Sequence, residues 1–239
     1  MIQQAKAKIF LADERGLNET AWFSSQNTFN FGKYFNEHKY PFGNIYVVND
    51  DTLDAGCSLK MLIEEDSHII LLPVMGAIAF QDSYGNKNTV AAGQMQLLTL
   101  DQRETLEIRN PFSNGLVNFL QIWIRAEKVK GVKDNHLCTY DVNEHIDNLF
   151  KISPDASEDA ALPFSISIGK FNGRGETAYH LTNKNSGVFV FVIEGAFEVH
   201  GRLLHARDGL ALWETSEIEM EALSNDAIIL VIQTQLYSS

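Results

Sequence analysis

The sequence predicts an all-β protein, a sandwich or barrel, built from two copies of one β unit. Three observations point there. Short runs rich in β-branched and aromatic residues alternate with turn residues along almost the whole chain. Helical periodicity is weak nearly everywhere. One order of strands and glycines also occurs twice.

The strand-like runs follow one another as "GNIYVVNDD", "SHIILLPVMGAIAF", "QMQLLTL", "ETLEIRN" and "NFLQIWI", and then as "FSISIGKF", "GVFVFVIEGAFEVHG", "GLALWE", "EIEMEAL" and "AIILVIQT". Between the two groups, "YDVNEHIDNLFKISPDASEDA" reads as a polar connection with room for one or two short helical turns. The repeat pairs "IILLPVMGAIAFQDSYGNKNTVAAGQMQLLT" with "VFVFVIEGAFEVHGRLLHARDGLALWE", so that Gly76 answers to Gly195 and Gly93 to Gly209. Gly76 and Gly195 stand between strand-like runs with no turn cluster around them, where a residue without a Cβ permits a bend or bulge. Gly85, with Asp82 and Asn86 beside it, belongs to a tight hairpin. The expected division is a first barrel over residues 1–130, a connection over 131–160 and a second barrel over 161–239.

The chain has 239 residues, 45% of them hydrophobic and 21% charged, the composition of an ordinary globular protein able to bury a large core. Its formal charge of −12 argues against direct binding to nucleic acid, which needs clustered Lys and Arg. No run approaches the roughly 20 apolar residues that span a bilayer, and the N-terminus lacks the apolar core of a secretion signal. Cys57 and Cys138 are too few for a disulfide framework. A cytoplasmic protein with no membrane contact is the expectation.

Several ordered segments resemble the pirins, two-domain proteins of the cupin superfamily. "RGLNETAWFSSQNTFNFGKYF" resembles the family's arginine-glycine, tryptophan and "TFSFxxY" segment, and "GNIYVVNDDTLDAG" is similar to its "LRVINDDxVxPG". The "QDSYGN" hairpin, "FLQIWI", "ISPDA" and "DGLALWE" also look like family landmarks, so the resemblance covers nearly the whole chain. It implies two jelly-roll β-barrels packed face to face, with few short helices in the connection and any metal in the first barrel. It also implies an iron site made by a "HPH" segment and a later "HSE" segment, cleavage of flavonols such as quercetin in some members, and association with transcriptional regulators in others.

Carried over without gaps, the two histidines of "HPH" fall on Leu62 and Glu64, the later histidine on Leu106 and the glutamate on Ile108. Iron needs several N or O donors converging on one point, and leucine and isoleucine offer none. If the parental alternation holds, Leu62 and Glu64 face Leu106 and Ile108 across an apolar pocket with one carboxylate, a candidate anchor for a ligand. The bland alternative pairs Glu64 with a cation such as Arg103. Asp66 and His68 are the further polar candidates, able with Glu64 to form a rearranged metal set. In the second barrel His180 stands where a cupin would have its first ligand, while His200 and His205 flank a hairpin. Cys57, just before the altered ligand strand, is a candidate redox thiol, and Cys138 a weaker one.

These residues predict a pirin-like protein that has lost its iron ligands, needs no cofactor, and works by binding an unidentified small molecule or protein. The rivals are a quercetin 2,3-dioxygenase-like enzyme using iron or another divalent metal, and a cysteine-based redox sensor.

Overall fold

The computed structural model describes residues 5–126, 135–154, 162–181, 183 and 185–236. Apart from one 3-10 turn, Ala12–Glu14, their regular structure is strand, and the strands pair antiparallel. They form two compact units.

The first barrel comprises Gly16–Pro41 and Ile45–Tyr140. Its larger sheet runs in the order Asn135–Thr139, Gln94–Leu100, Ser67–Met75, Val117–Arg125, Ile45–Leu53, Phe23–Asn27 and Gly16–Glu19. Its smaller sheet runs Ser58–Leu62, Thr105–Arg109, Ala77–Asp82 and Lys87–Ala91. The alternation of each strand sends one side chain in two into a shared core that includes Ile69, Leu71, Phe80, Leu98, Phe119 and Trp123.

The second barrel comprises Met1–Arg15, Phe42–Asn44 and Asp141–Ser239. Its larger sheet runs Lys6–Phe10, Gly209–Trp213, Ser186–Glu194, Ala227–Gln235, Phe164–Phe171 and Phe150–Lys151, and its smaller one Glu176–His180, Glu217–Ala222, Ala196–Val199 and Arg202–His205. The two barrels therefore share one strand order, with a core in the second that includes Phe171, Val190, Phe197, Leu212, Ile218 and Val231.

The boundaries differ from the expected 1–130, 131–160 and 161–239. The first residues of the chain close the second barrel, since Lys6–Phe10 pairs with Gly209–Trp213. The strand Asn135–Thr139, expected in the connection, closes the first barrel against Gln94–Leu100. "KAKIF" and "NHLCT" lie outside the repeated pattern; each pairs along the backbone edge of a sheet, and of their apolar side chains Phe10 alone is fully buried. The expected helical turns are likewise replaced over Asp141–Leu149 by hydrogen-bonded turns, in which Asp141 accepts a bond from the Asn143 amide at 2.8 Å. Residues 155–161 of that expectation lie outside the described residues.

The echo is real and sharper than its glycines. Gly76 and Gly195 both take a φ of +78°, a region that disfavours side chains, and each follows a register shift, at Pro73/Met75 in one barrel and Val192/Glu194 in the other. The second pair of glycines is offset. Leu71 faces Gln96, and the equivalent Val190 faces Leu210, so counting back matches Gly93 (φ +84°) with Arg207 (φ +72°), not with Gly209. The turn geometry repeats, but a non-glycine carries it in the second barrel.

Candidate functional site

The ligand strand settles first on its apolar residues. In Ser58–Leu62, Met61 lies directly opposite Leu106, and Leu59 opposite Ile108. Leu106 and Ile108 are wholly buried in the barrel core, Met61 packs against the same cluster, and Ile63 just beyond is also fully buried. Side chains opposite each other across a ladder share a face, so Leu59, Met61 and Ile63 point inward and Leu62 and Glu64 point out. Leu62 is 57% exposed and Glu64 is exposed as well. The pocket expected between Leu62, Glu64, Leu106 and Ile108 is therefore not formed. The expectation was one residue out of phase, and a one-residue phase change turns every side chain to the other face. Apolar residues at 59, 61 and 63 had carried the signal.

The second barrel gives the same answer at the equivalent place. His180, on Glu176–His180, keeps 72% of its side chain exposed, 3.9 Å from Glu217. His205 is equally exposed, on the hairpin where it was expected, while His200 is half-buried with its ring Nδ1 shielded from solvent.

Glu64, Asp66 and His68 do not converge either. His68 is buried on the sheet face opposite the barrel core, its Nδ1 2.8 Å from Thr99 Oγ1. Asp66 accepts a hydrogen bond from the Gln102 amide at 2.8 Å, while no ion pair joins Glu64 to Arg103 among the described residues. Arg103 instead sits with φ +76° in a bulge, where its amide donates to Ile63 O at 2.7 Å and the Ile63 amide donates to Glu104 O at 2.8 Å. The neighbouring Glu65 takes the cation: Arg125 Nε lies 2.6 Å from it and stacks over Tyr46 at 4.8 Å. Burial pushes the Tyr46 phenol up to about 12, against its 2.5 Å contact with Ser67 Oγ.

Tested as a donor set for iron, the four family positions do not fit. They offer one carboxylate, on the outer face, and three aliphatic chains, two of them inside the core. Among the described residues, no three His, Cys, Asp or Glu side chains stand together as metal ligands would. Both thiols, Cys57 and Cys138, are partly buried; Cys57 packs against the barrel core, and burial pushes the Cys138 thiol up.

One group of residues escaped the sequence reasoning as a site. On the core side of the larger sheet in the first barrel, Asn27, Asn49, Gln121, Leu71 and Gln96 form a row across five strands, with Ser25 and Asp51 in the adjacent row. Asn27, Asn49, Asp51, Gln96 and Gln121 are all at most 1% exposed. Gln121 Nε2 donates to Asp51 Oδ2 and Trp123 Nε1 donates to Gln121 Oε1 at 3.3 Å. Burial pushes the Asp51 carboxyl up to about 7, against the hydrogen bonds from Ser25 and Gln121. The signal was visible in "YVVNDDTL", where Asn49 and Asp51 occupy the same alternation phase as Val47 and Leu53.

Each smaller sheet also carries an outer groove. That of the first barrel, about 450 Å³, is lined by Gln81, Lys87, Glu107 and Arg109 among others, and that of the second, about 470 Å³, by Glu176, Glu198, Glu217, Glu219 and Glu221 among others.

Comparison with known proteins agrees with this architecture. Residues 11–124 match the Pirin family model, and residues 153–233 match the model described as the quercetinase C-terminal cupin domain. Over 222 residues the chain is 27% identical to the quercetin 2,3-dioxygenase of Escherichia coli, covering 92% of this chain and 95% of the other. A pirin-like protein of Caulobacter vibrioides is 26% identical over 226 residues, 92% of this chain and 96% of its own. Among solved structures, the bacterial pirin YhhW from Escherichia coli in complex with nickel(II) superposes with a TM-score of 0.83 at 24% identity, over 97% of this chain and all of that one. With both halves matched in order and one strand arrangement used twice, this chain belongs to the pirin family of two-domain cupins.

Proposed function

We propose that this pirin-family chain acts by binding, as a small-molecule-binding or regulatory protein, and not as a metal-dependent quercetin 2,3-dioxygenase of the kind its relatives are named for. The observation that carries the reading is the ligand strand. Leu62 and Glu64 lie on the outer side of the barrel wall from Leu106 and Ile108, and only Glu64 has a donor atom. A ligand set split across a strand cannot close on one ion, and affinity falls steeply without converging donors and the groups that orient them.

The full chain, purified without chelator and offered iron(II) or nickel(II), is expected to hold well under one metal per chain by elemental analysis and to leave quercetin unconsumed under dioxygen. One metal per chain, lost on Glu64→Ala or His68→Ala, overturns the reading, and so does metal-dependent flavonol turnover.

A further inference from the structure

The polar seam inside the first barrel has no counterpart in the metal question and no part in the reading above. Its arrangement is nonetheless specific. Asn27 is satisfied, donating from Nδ2 to Ser25 Oγ at 2.8 Å and accepting from Asn18 Nδ2 at 2.6 Å. Gln121 is satisfied through Asp51 and Trp123. Between them Asn49 engages neither amide atom, and Asp51 Oδ1 and Gln96 Oε1 also lack partners among the described residues, although each atom is shut off from solvent. Buried polar groups are hydrogen-bonded in the great majority of proteins, and an unsatisfied charged oxygen is the costliest exception. A carboxylate can only accept, whereas a carboxylic acid carries a donor of its own. A proton on Asp51 therefore removes a buried charge and turns an oxygen with no partner among the described residues into a group that can donate.

We propose that Asp51, held by Ser25 and Gln121 beside Asn49, is an internal proton site of the first barrel: the barrel is closed around the neutral acid, and ionisation of Asp51 loosens it.

Among the described residues the surroundings supply no compensating cation. The flanking strands present Ser25 and Asn27 on one side and Phe119 and Gln121 on the other. The inward side chains of the smaller sheet, such as Leu106, Ile108, Ile78 and Phe80, are apolar, and its Lys60 and Glu107 lie in the outward phase. Asp82, buried at the hairpin end, is already bonded by the Tyr84 and Asn86 amides at 3.0 and 2.9 Å. Asp50, on the other face of the same strand, adds negative charge and disfavours ionisation further.

The sign follows from linkage. The Asp51 carboxyl sits at about 7 in the folded barrel against an ordinary 3.8, so between these values the folded protein binds a proton that the unfolded chain releases. Stability from this group is complete below the ordinary carboxylate range and is lost as the pH rises towards 7.

The test is guanidinium unfolding of the full chain at several pH values from 5 to 8, wild type beside Asp51→Asn, which keeps the shape and removes the titration. The wild-type unfolding constant is expected to rise by up to about tenfold per pH unit relative to the variant between pH 5 and 7, and the two profiles to run parallel above that. Parallel profiles throughout the range overturn the proposal. Should Asp51→Asn not fold, carboxyl-carbon NMR of the wild type, with Asp51 assigned through its own Cβ, decides alone. A midpoint near neutrality supports the site, and one in the ordinary carboxylate range sinks it.

Discussion

The two barrels share a strand order and differ in what they enclose. In the first, the middle row across the larger sheet reads Asn27, Asn49, Gln121, Leu71, Gln96; in the second, the equivalent row reads Lys151, Ser167, Val231, Val190, Leu210. One row further on, Asp51 is matched by Gly169. The second barrel thus fills the centre of that row with Val231, Val190 and Leu210, with Ser167 beside them, whereas the first spends the same places on amides and the next row on one acid. A buried amide contributes little net stability even when satisfied and costs about 1–3 kcal/mol when it is not. A shared topology therefore does not imply a shared interior. The outer grooves differ in charge as well, with Lys87 and Arg109 beside Glu107 lining the one and five glutamates lining the other.

The most severe way to break the comparison is to give the second barrel the first one's acid. A Cβ at Gly169 would lie 2.6 Å from Phe171 Cε2 and 2.7 Å from Asn148 O. Gly169→Asp combines that overlap with a buried carboxyl, and an unfolding free energy lower by about 4 kcal/mol or more, or failure to fold, is expected.

The orientation of the ligand strand is tested by truncation on its two faces. Leu106→Ala should cost about 2–5 kcal/mol in denaturant unfolding. Leu62→Ala should stay within about 0.5 kcal/mol, as surface changes do. Similar losses at both positions would restore the enclosed pocket and undo the corrected phase.

The repeated glycines offer a finer comparison. Both have positive φ, so alanine strains each by about 1–3 kcal/mol. The new Cβ at Gly195 would meet Ala227 Cβ at 2.8 Å and its Cα at 3.0 Å, while at Gly76 the nearest atom is Val117 Cγ1 at 3.0 Å. Gly195→Ala should accordingly lower the melting temperature more than Gly76→Ala.

The smallest effect is expected at the surface pair beside the ligand strand. Glu65→Ala removes a partly exposed ion pair with Arg125 and should change stability by less than about 1 kcal/mol, less still at high salt.

Much of this fold could be read in one dimension. Strand alternation, the hairpin at Asp82 to Asn86 and the glycines at 76 and 195 are local properties, set by φ preference and by which side chains avoid water. The candidate site was less legible. That Leu62, Leu106 and Ile108 carry no donor atom was plain, but their facing was not, because alternation gives two phases and only cross-strand packing chooses between them. The seam was missed for a related reason. Asn49 and Asp51 look like ordinary strand polar residues until their partners show that both sides of that strand are covered.

By itself, then, the sequence determined two β units in tandem and aliphatic side chains at three of the four positions that the resemblance aligns with iron ligands, since both follow from side-chain chemistry read in order. The tertiary structure alone decided which segments close each barrel, with Lys6–Phe10 completing the second and Asn135–Thr139 the first. It also decided that Met61 and Ile63, not Leu62 and Glu64, line the interior, and that Asp51 is buried. Edge pairing, phase and burial are relations between residues distant in the chain, and no local preference encodes them.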